Sequence, residues 1–71
     1  MKTINDDNYL EIFTTDYFAV LFSASWCGHC KPMKERLKDE ENFYLCDIDE
    51  SPNLSEKYNI MSIPTIVVNY R

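Results

Sequence analysis

Two cysteines separated by two residues are the part of this sequence best suited to chemistry, in the segment Cys27-Gly28-His29-Cys30. The segment follows an apolar run and precedes residues rich in Lys, Glu, Met and Leu, so it lies where a strand is followed by a helix. Unpaired amides and the positive end of the helix dipole stabilise a thiolate at such a place. A second thiol one helical turn later lies on the same side, within reach for an intramolecular disulfide.

This arrangement predicts thiol–disulfide exchange, with a different task for each sulfur. We expect Cys27, at the exposed tip, to attack a substrate disulfide, and Cys30, one turn in, to resolve the mixed disulfide. His29 favours the thiolate when it is protonated or donates a hydrogen bond, which makes the pair more oxidising. We expect Trp26 to shield the disulfide and contact substrate, and Lys31 to add positive potential near Cys27.

A zinc site is the rival chemistry for the same residues. Zinc takes four ligands, usually from two separated pairs, whereas this sequence has one CxxC, one further cysteine and a single histidine. His29 lies inside the motif and is poorly placed to bind the same ion as both neighbours. We therefore expect no metal and no cofactor. Cys46, next to Leu45 in an apolar strand, is expected to be a small core residue.

Composition and charge narrow the kind of molecule that carries these residues. The chain has 71 residues, 45% hydrophobic and 14% aromatic, which predicts one small domain over residues 1–71 and excludes a disordered chain. The net charge of −5 argues against binding to nucleic acid or anionic lipid. The apolar stretch Tyr17–Ala24 is too short to span a membrane, and Met1–Asp7 lacks the apolar region of a signal peptide. We therefore expect a cytoplasmic protein.

The apolar patterning predicts the elements that must position the cysteines. Strands are predicted at Met1–Ile4, Tyr17–Ser23, Phe43–Ile48 and Ile63–Tyr70. Helices are predicted after an N-cap at Asn5 or Asp6, over Lys31–Glu41, and from an N-cap at Ser51 to about Tyr58. The first helix should bury one apolar face, made of Tyr9, Leu10, Ile12 and Phe13. The order (β)αβαβαβ predicts an α/β sheet with parallel βαβ units.

Two motifs in this order resemble those of a known family: Trp26-Cys27-Gly28-His29-Cys30-Lys31 and Ile63-Pro64-Thr65. Together they resemble the thioredoxin superfamily, and the Gly-His pair is similar to that of protein disulfide isomerase domains. The resemblance implies a thioredoxin-like fold, a redox-active Cys27–Cys30 disulfide, and a cis peptide bond at Ile63–Pro64 whose backbone pairs with the substrate chain. It also implies protein disulfides as substrates, and a reductase or thiol pool that regenerates the dithiol.

Three features depart from the family pattern. Leu21 and Leu45 stand where the family has a buried acid and a lysine, and we expect them to touch beneath the active site, with water or His29 assisting Cys30 instead. The second helix is shorter than in thioredoxins, yet the Gly-Gly turn that holds glutathione in glutaredoxins is absent. The family's last strand and C-terminal helix are also missing. We therefore expect a minimal or C-terminally truncated form in which Thr65–Tyr70 is an edge strand open to self-association.

The sequence is thus interpreted as a thiol–disulfide oxidoreductase that reduces or exchanges disulfides in protein substrates. The alternative is a thioredoxin-like scaffold that clamps a partner protein, with redox chemistry incidental. A third interpretation is a fragment too short to fold stably. A change of Cys27 to Ser separates the first two, because only the enzyme loses its activity.

Overall fold

The structure is a computed structural model that describes residues 1–12 and 17–70. Its elements, in chain order, are β1 (Lys2–Ile4), α1 (Tyr9–Ile12), β2 (Tyr17–Ser23), α2 (Cys30–Leu37), β3 (Phe43–Asp47), α3 (Pro52–Lys57) and β4 (Thr65–Tyr70). The predicted alternation of strands and helices is confirmed, and β2 has the predicted bounds. None of the described helices is long and apolar enough to cross a bilayer.

The second helix is shorter than predicted, ending at Leu37 instead of Glu41. After it the chain turns back towards the sheet, and the Glu40 N–H donates to the Leu37 carbonyl at 3.0 Å. Residues 38–41 have the composition of a helix, but β3 must begin at Phe43 to pair with Ala19 of β2. The strand pairing therefore overrides the local helix propensity.

The described strands form one sheet in the order β1-β3-β2-β4. β1 and β2 pair with β3 in parallel, whereas β4 pairs with β2 antiparallel, so the prediction of parallel units is wrong for the last strand. After β3 the chain passes through α3 and the loop at Ile63–Pro64 before it enters β4. β4 begins at the edge where β2 ends, with Thr65 opposite Phe22.

β2 is an inner strand of the sheet, between β3 and β4, and its residues from Phe18 to Ser23 are buried. On one face, a core cluster joins β2 to β1, β3 and α3; its buried members are Ile4, Phe18, Val20, Phe22, Cys46 and Leu54. Cys46 is completely buried, which confirms it as a core residue. Burial raises the pKa of its thiol, and the neighbouring Ser51 hydroxyl lowers that pKa by a smaller amount.

The two leucines that stand where the resemblance implies a charged pair lie on neighbouring strands, Leu21 on β2 and Leu45 on β3. Leu21 is completely buried and lies opposite Leu45 of β3 and Ile66 of β4 in the strand register. The two leucines are therefore neighbours in the strand register, and their contact beneath the active site stays a prediction. On the α2 side of the sheet, Met33 and Leu37 line an open cavity of about 360 Å³ together with Arg36 and Ile66.

The first helix is a single turn, and its predicted apolar face is only partly formed. The Asn5 side-chain oxygen accepts hydrogen bonds from the N–H groups of Asp7 and Asn8, at 2.9 and 3.1 Å, which confirms Asn5 as a cap. Tyr9 packs against the core, but Leu10 is 68% exposed, so its assignment to the buried face is wrong. The predicted contribution of Phe13 lies outside the described residues.

The cap of α3 comes from a different part of the chain than predicted. Ser51 occupies the N-cap position before Pro52, but its side chain makes no capping hydrogen bond. Asp6 caps the helix instead, since its two carboxylate oxygens accept from the N–H groups of Asn53 and Leu54 at 3.1 and 3.0 Å. This contact ties the loop after β1 to the loop after β3.

Candidate active site

The two cysteines of the motif lie in a tight turn between β2 and α2. The Cys27 N–H donates to the Ala24 carbonyl at 3.1 Å, and the Cys30 N–H donates to the Cys27 carbonyl at 3.3 Å. Gly28 and His29 are exposed at this turn, and α2 begins at Cys30 with His29 in the N-cap position. Both cysteines are free thiols. The turn thus places Cys27 just before α2, and Cys30 is the first residue of that helix, as the spacing predicts.

The two thiols differ less in exposure than the sequence predicts. Cys27 is only 6% exposed and Cys30 is completely buried. Ile48 and Ile63 pack against the small cluster that these cysteines form with Ala24. The expectation that Cys27 stands at an exposed tip is therefore wrong in degree, because the loop before β4 covers it. Cys27 remains the more accessible of the two.

The electrostatic environment of Cys30 favours its protonated form. Burial raises the pKa of this thiol most, and a hydrogen bond with the Cys27 side chain raises it further. A backbone hydrogen bond from Ala24 and the charge of Lys34 act in the opposite direction. A protonated Cys30 can donate its S–H to the sulfur of Cys27, and such a bond stabilises negative charge on Cys27.

Trp26 stands beside the cysteines with its ring in solvent and its nitrogen anchored. The side chain is 67% exposed, and its Nε1–H donates to the Asp49 carboxylate at 2.8 Å. Asp49 is itself oriented by its backbone N–H, which donates to the Asp47 carboxylate at 2.8 Å. Sequence reasoning missed this role of Asp49. The signal was available, because residues that follow adjacent parallel strands meet at one edge of the sheet.

A groove runs beside Trp26 and ends at the loop before β4. The Ile63–Pro64 peptide bond in this loop is cis, the configuration that the resemblance implies. The groove has a volume of about 260 Å³, and its lining residues are Trp26, Ile48, Ile60, Met61, Ser62 and Ile63. Met61 is 95% exposed, so an apolar side chain stands in solvent at the rim. Two of its lining residues, Ile48 and Ile63, also pack against the cluster that contains Cys27, so the groove adjoins the cysteine turn.

The two lysines in the first half of α2 differ in burial. Lys31 is exposed, as expected of a surface charge, and Lys34 is half-buried. Lys34 is also the residue whose charge lowers the pKa of Cys30. Over residues 1–12 and 17–70, no three His, Cys, Asp or Glu side chains are grouped so that they could hold a metal ion.

Comparison with known proteins agrees with the fold and with the motif. The family model described as Thioredoxin matches residues 1–70. A thioredoxin of Staphylococcus saprophyticus is 35% identical over 72 residues, an alignment that covers 92% of this chain and 69% of the relative.

Two solved structures have the same fold. The Malassezia sympodialis thioredoxin has a TM-score of 0.80 and 28% identity, over 97% of this chain and 70% of that one. The first thioredoxin domain of mouse protein disulfide-isomerase A4 has a TM-score of 0.79 and 26% identity, over 96% of this chain and 56% of that one. The fold, the CxxC turn and these similarities show that the chain belongs to the thioredoxin family of thiol–disulfide oxidoreductases.

Proposed function

We propose that this protein reduces disulfide bonds in protein substrates, with Cys27 as the attacking thiol and Cys30 as the resolving thiol. The observation that carries the proposal is the asymmetry of the pair. Cys27 retains a slight exposure of 6% near the groove, whereas Cys30 is fully buried and its raised pKa keeps it protonated as a hydrogen-bond donor to Cys27. A thiolate attacks disulfides and a thiol does not, so the two positions suit different steps.

The reaction consists of two successive thiol–disulfide exchange steps. The Cys27 thiolate attacks one sulfur of the substrate disulfide, which forms a mixed disulfide and releases the first substrate thiolate to be protonated. Cys30 then loses its proton and attacks the Cys27 sulfur, which forms the Cys27–Cys30 disulfide and releases the second substrate thiolate. Two electrons pass from the protein dithiol to the substrate. A reductase or a thiol pool in a reducing cytoplasm would regenerate the dithiol.

We propose that the groove binds the segment of the substrate chain that flanks its disulfide. Its walls are apolar, and the exposed rings and thioether of Trp26 and Met61 offer contact to an extended peptide segment. The loop at Ile63–Pro64 would pair with the backbone of that segment. The rival function, a scaffold that clamps a partner without redox chemistry, would use the same groove, so the groove alone does not distinguish the two.

Single-cysteine variants test the proposal through the reduction of insulin disulfides by a dithiol donor. Cys27→Ser should abolish turnover, because no thiolate remains at the accessible position. Cys30→Ser, mixed with insulin in the absence of the dithiol donor, should still attack but should accumulate one equivalent of mixed disulfide, since no second thiol resolves it. Cys46→Ala is the control and should keep turnover, because Cys46 is a buried core residue that does not line the groove. If Cys27→Ser reduced insulin as well as the native chain does, the enzyme proposal would be wrong, whereas retained partner binding without turnover in the native chain would favour the scaffold.

A further inference from the structure

The resolving thiol lies in surroundings that oppose its ionisation. Cys30 is completely buried, and it packs with Ala24, Cys27 and the partly buried Ile48 and Ile63. The central strand beneath α2 carries Leu21, which has no polar group to offer. Burial of a charge among apolar groups is unfavourable unless a partner compensates it. The second step of the proposed reaction nevertheless requires a thiolate at Cys30.

One charged side chain lies on the same helix face as Cys30. Lys34 follows it by four residues, so the two side chains are neighbours along α2. Lys34 is half-buried, and within the described part of the chain no carboxylate forms an ion pair with it. Lys38 differs, because its ammonium pairs with Glu35 at 2.8 Å. Lys31 is adjacent to Cys30 in sequence, but residues one apart do not face each other on a helix.

The balance of charges at Cys30 changes during the reaction. In the free dithiol, burial and the Cys27 side chain raise the pKa of Cys30, while the Ala24 backbone and Lys34 lower it. Once Cys27 is bonded to a substrate sulfur, it carries no charge and no longer needs the Cys30 proton. The groups that then face Cys30 are the apolar side chains of Ile48 and Ile63, the Ala24 backbone and, from α2, Lys34. Lys34 is the charged one among them.

We propose that Lys34 is a positioning residue for the second step, in which its ammonium stabilises the Cys30 thiolate that attacks the mixed disulfide. The proposal deepens the proposed function and rests on it. The Cys30 thiol passes its proton to water, the Cys30 sulfur bonds to the Cys27 sulfur, and the substrate thiolate leaves and is protonated. Lys34 remains an ammonium throughout and exchanges no proton with the sulfur.

A single-turnover reaction with 2,2′-dithiodipyridine separates the two steps. Attack by Cys27 releases one uncharged pyridinethione, and resolution by Cys30 releases the second, with Cys30→Ser as the baseline that gives the first release alone. Lys34→Met should slow the second release about threefold to tenfold at neutral pH. The midpoint of the pH dependence of that rate should move upward by about 0.5 to 1 pH unit. The first release should keep its rate. Lys34→Arg should restore the second step, because it restores the charge.

Lys38→Met is the matched control, since it removes the same charge from the C-cap of α2, at a lysine already paired with Glu35. Its second release should match that of the native chain. The inference is overturned if Lys34→Met resolves at the native rate and midpoint, or if Lys38→Met slows resolution equally. If Lys34→Met has a lower melting temperature than the native chain, Lys34→Gln repeats the test with a different uncharged side chain. A native chain that gives no first release contradicts the proposed function itself, so the two failures are distinguishable.

Discussion

At the scale of single residues, the Trp26–Asp49 hydrogen bond is the contact that most directly shapes the rim of the groove. An indole that is 67% exposed has little packing to hold it, so the bond to the carboxylate at 2.8 Å sets its orientation. A hydrogen bond of this kind contributes about 0.5–1.5 kcal/mol, and the acceptor here is charged. In the proposed function, Asp49 therefore acts through the orientation of the indole.

We expect Asp49→Ala to free the Trp26 ring and to lower the rate of protein disulfide reduction about twofold to fivefold. The fluorescence anisotropy of Trp26, the chain's single tryptophan, should fall because the ring gains motion. Glu50→Ala is the control, since it removes the same charge from an exposed neighbour. An equal loss of rate in Glu50→Ala would mean that the acidic charge of this loop matters and that the hydrogen bond does not.

At the scale of elements, the capping of α3 shows how a short helix is held by another part of the chain. Asp6 satisfies two backbone N–H groups of the first turn, and its negative charge also interacts favourably with that end of the helix. The Ser51 hydroxyl is buried and has no partner among the described residues by hydrogen-bond geometry, although it lies beside the Cys46 thiol. Ser51 therefore occupies the N-cap position of α3, but Asp6 accepts the capping hydrogen bonds.

This arrangement predicts opposite outcomes for two alanine substitutions at the same helix end. Asp6→Ala should lower the free energy of unfolding by about 1 kcal/mol, because two N–H groups lose their acceptor. Ser51→Ala should be neutral or slightly stabilising, because it removes a buried polar atom that gains no hydrogen bond. Urea denaturation of both variants gives the comparison. A larger loss in Ser51→Ala than in Asp6→Ala would assign the cap to Ser51.

The elements themselves were largely predictable from the sequence, and the contacts between them were less so. The run of apolar residues defines β2, and the CxxC spacing predicts where α2 begins. The direction of β4 and the end of α2 depend on how the strands pair in the complete sheet, which local patterns do not encode. Both missed contacts, Trp26 with Asp49 and Asp6 with α3, join loops that follow neighbouring parallel strands. They follow from strand order, and strand order is a property of the whole fold.

At the scale of the whole molecule, the two edges of the described sheet are unequal. β1 is three residues long and carries Lys2, and a short strand with a lysine is a poor template for pairing. β4 is six residues long, contains no charged residue, and leaves the apolar side chains of Ile66 and Val68 exposed. An edge with free backbone groups and apolar side chains favours pairing with another strand. Self-association through Thr65–Tyr70 therefore stays a prediction, now with a specific surface.

We expect the 71-residue chain to self-associate as its concentration rises, through the edge of β4. Sedimentation velocity over a concentration series should show a mass that increases above the 8.4 kDa of one chain. Val68→Lys should keep the chain monomeric, because a charge on an edge strand opposes pairing and Val68 is exposed enough for a lysine to reach water. Thr3→Lys adds the same charge to the opposite edge strand, β1, and should associate like the native chain. If Val68→Lys associates as strongly as Thr3→Lys, the contact between copies lies elsewhere and the β4 edge is not its site.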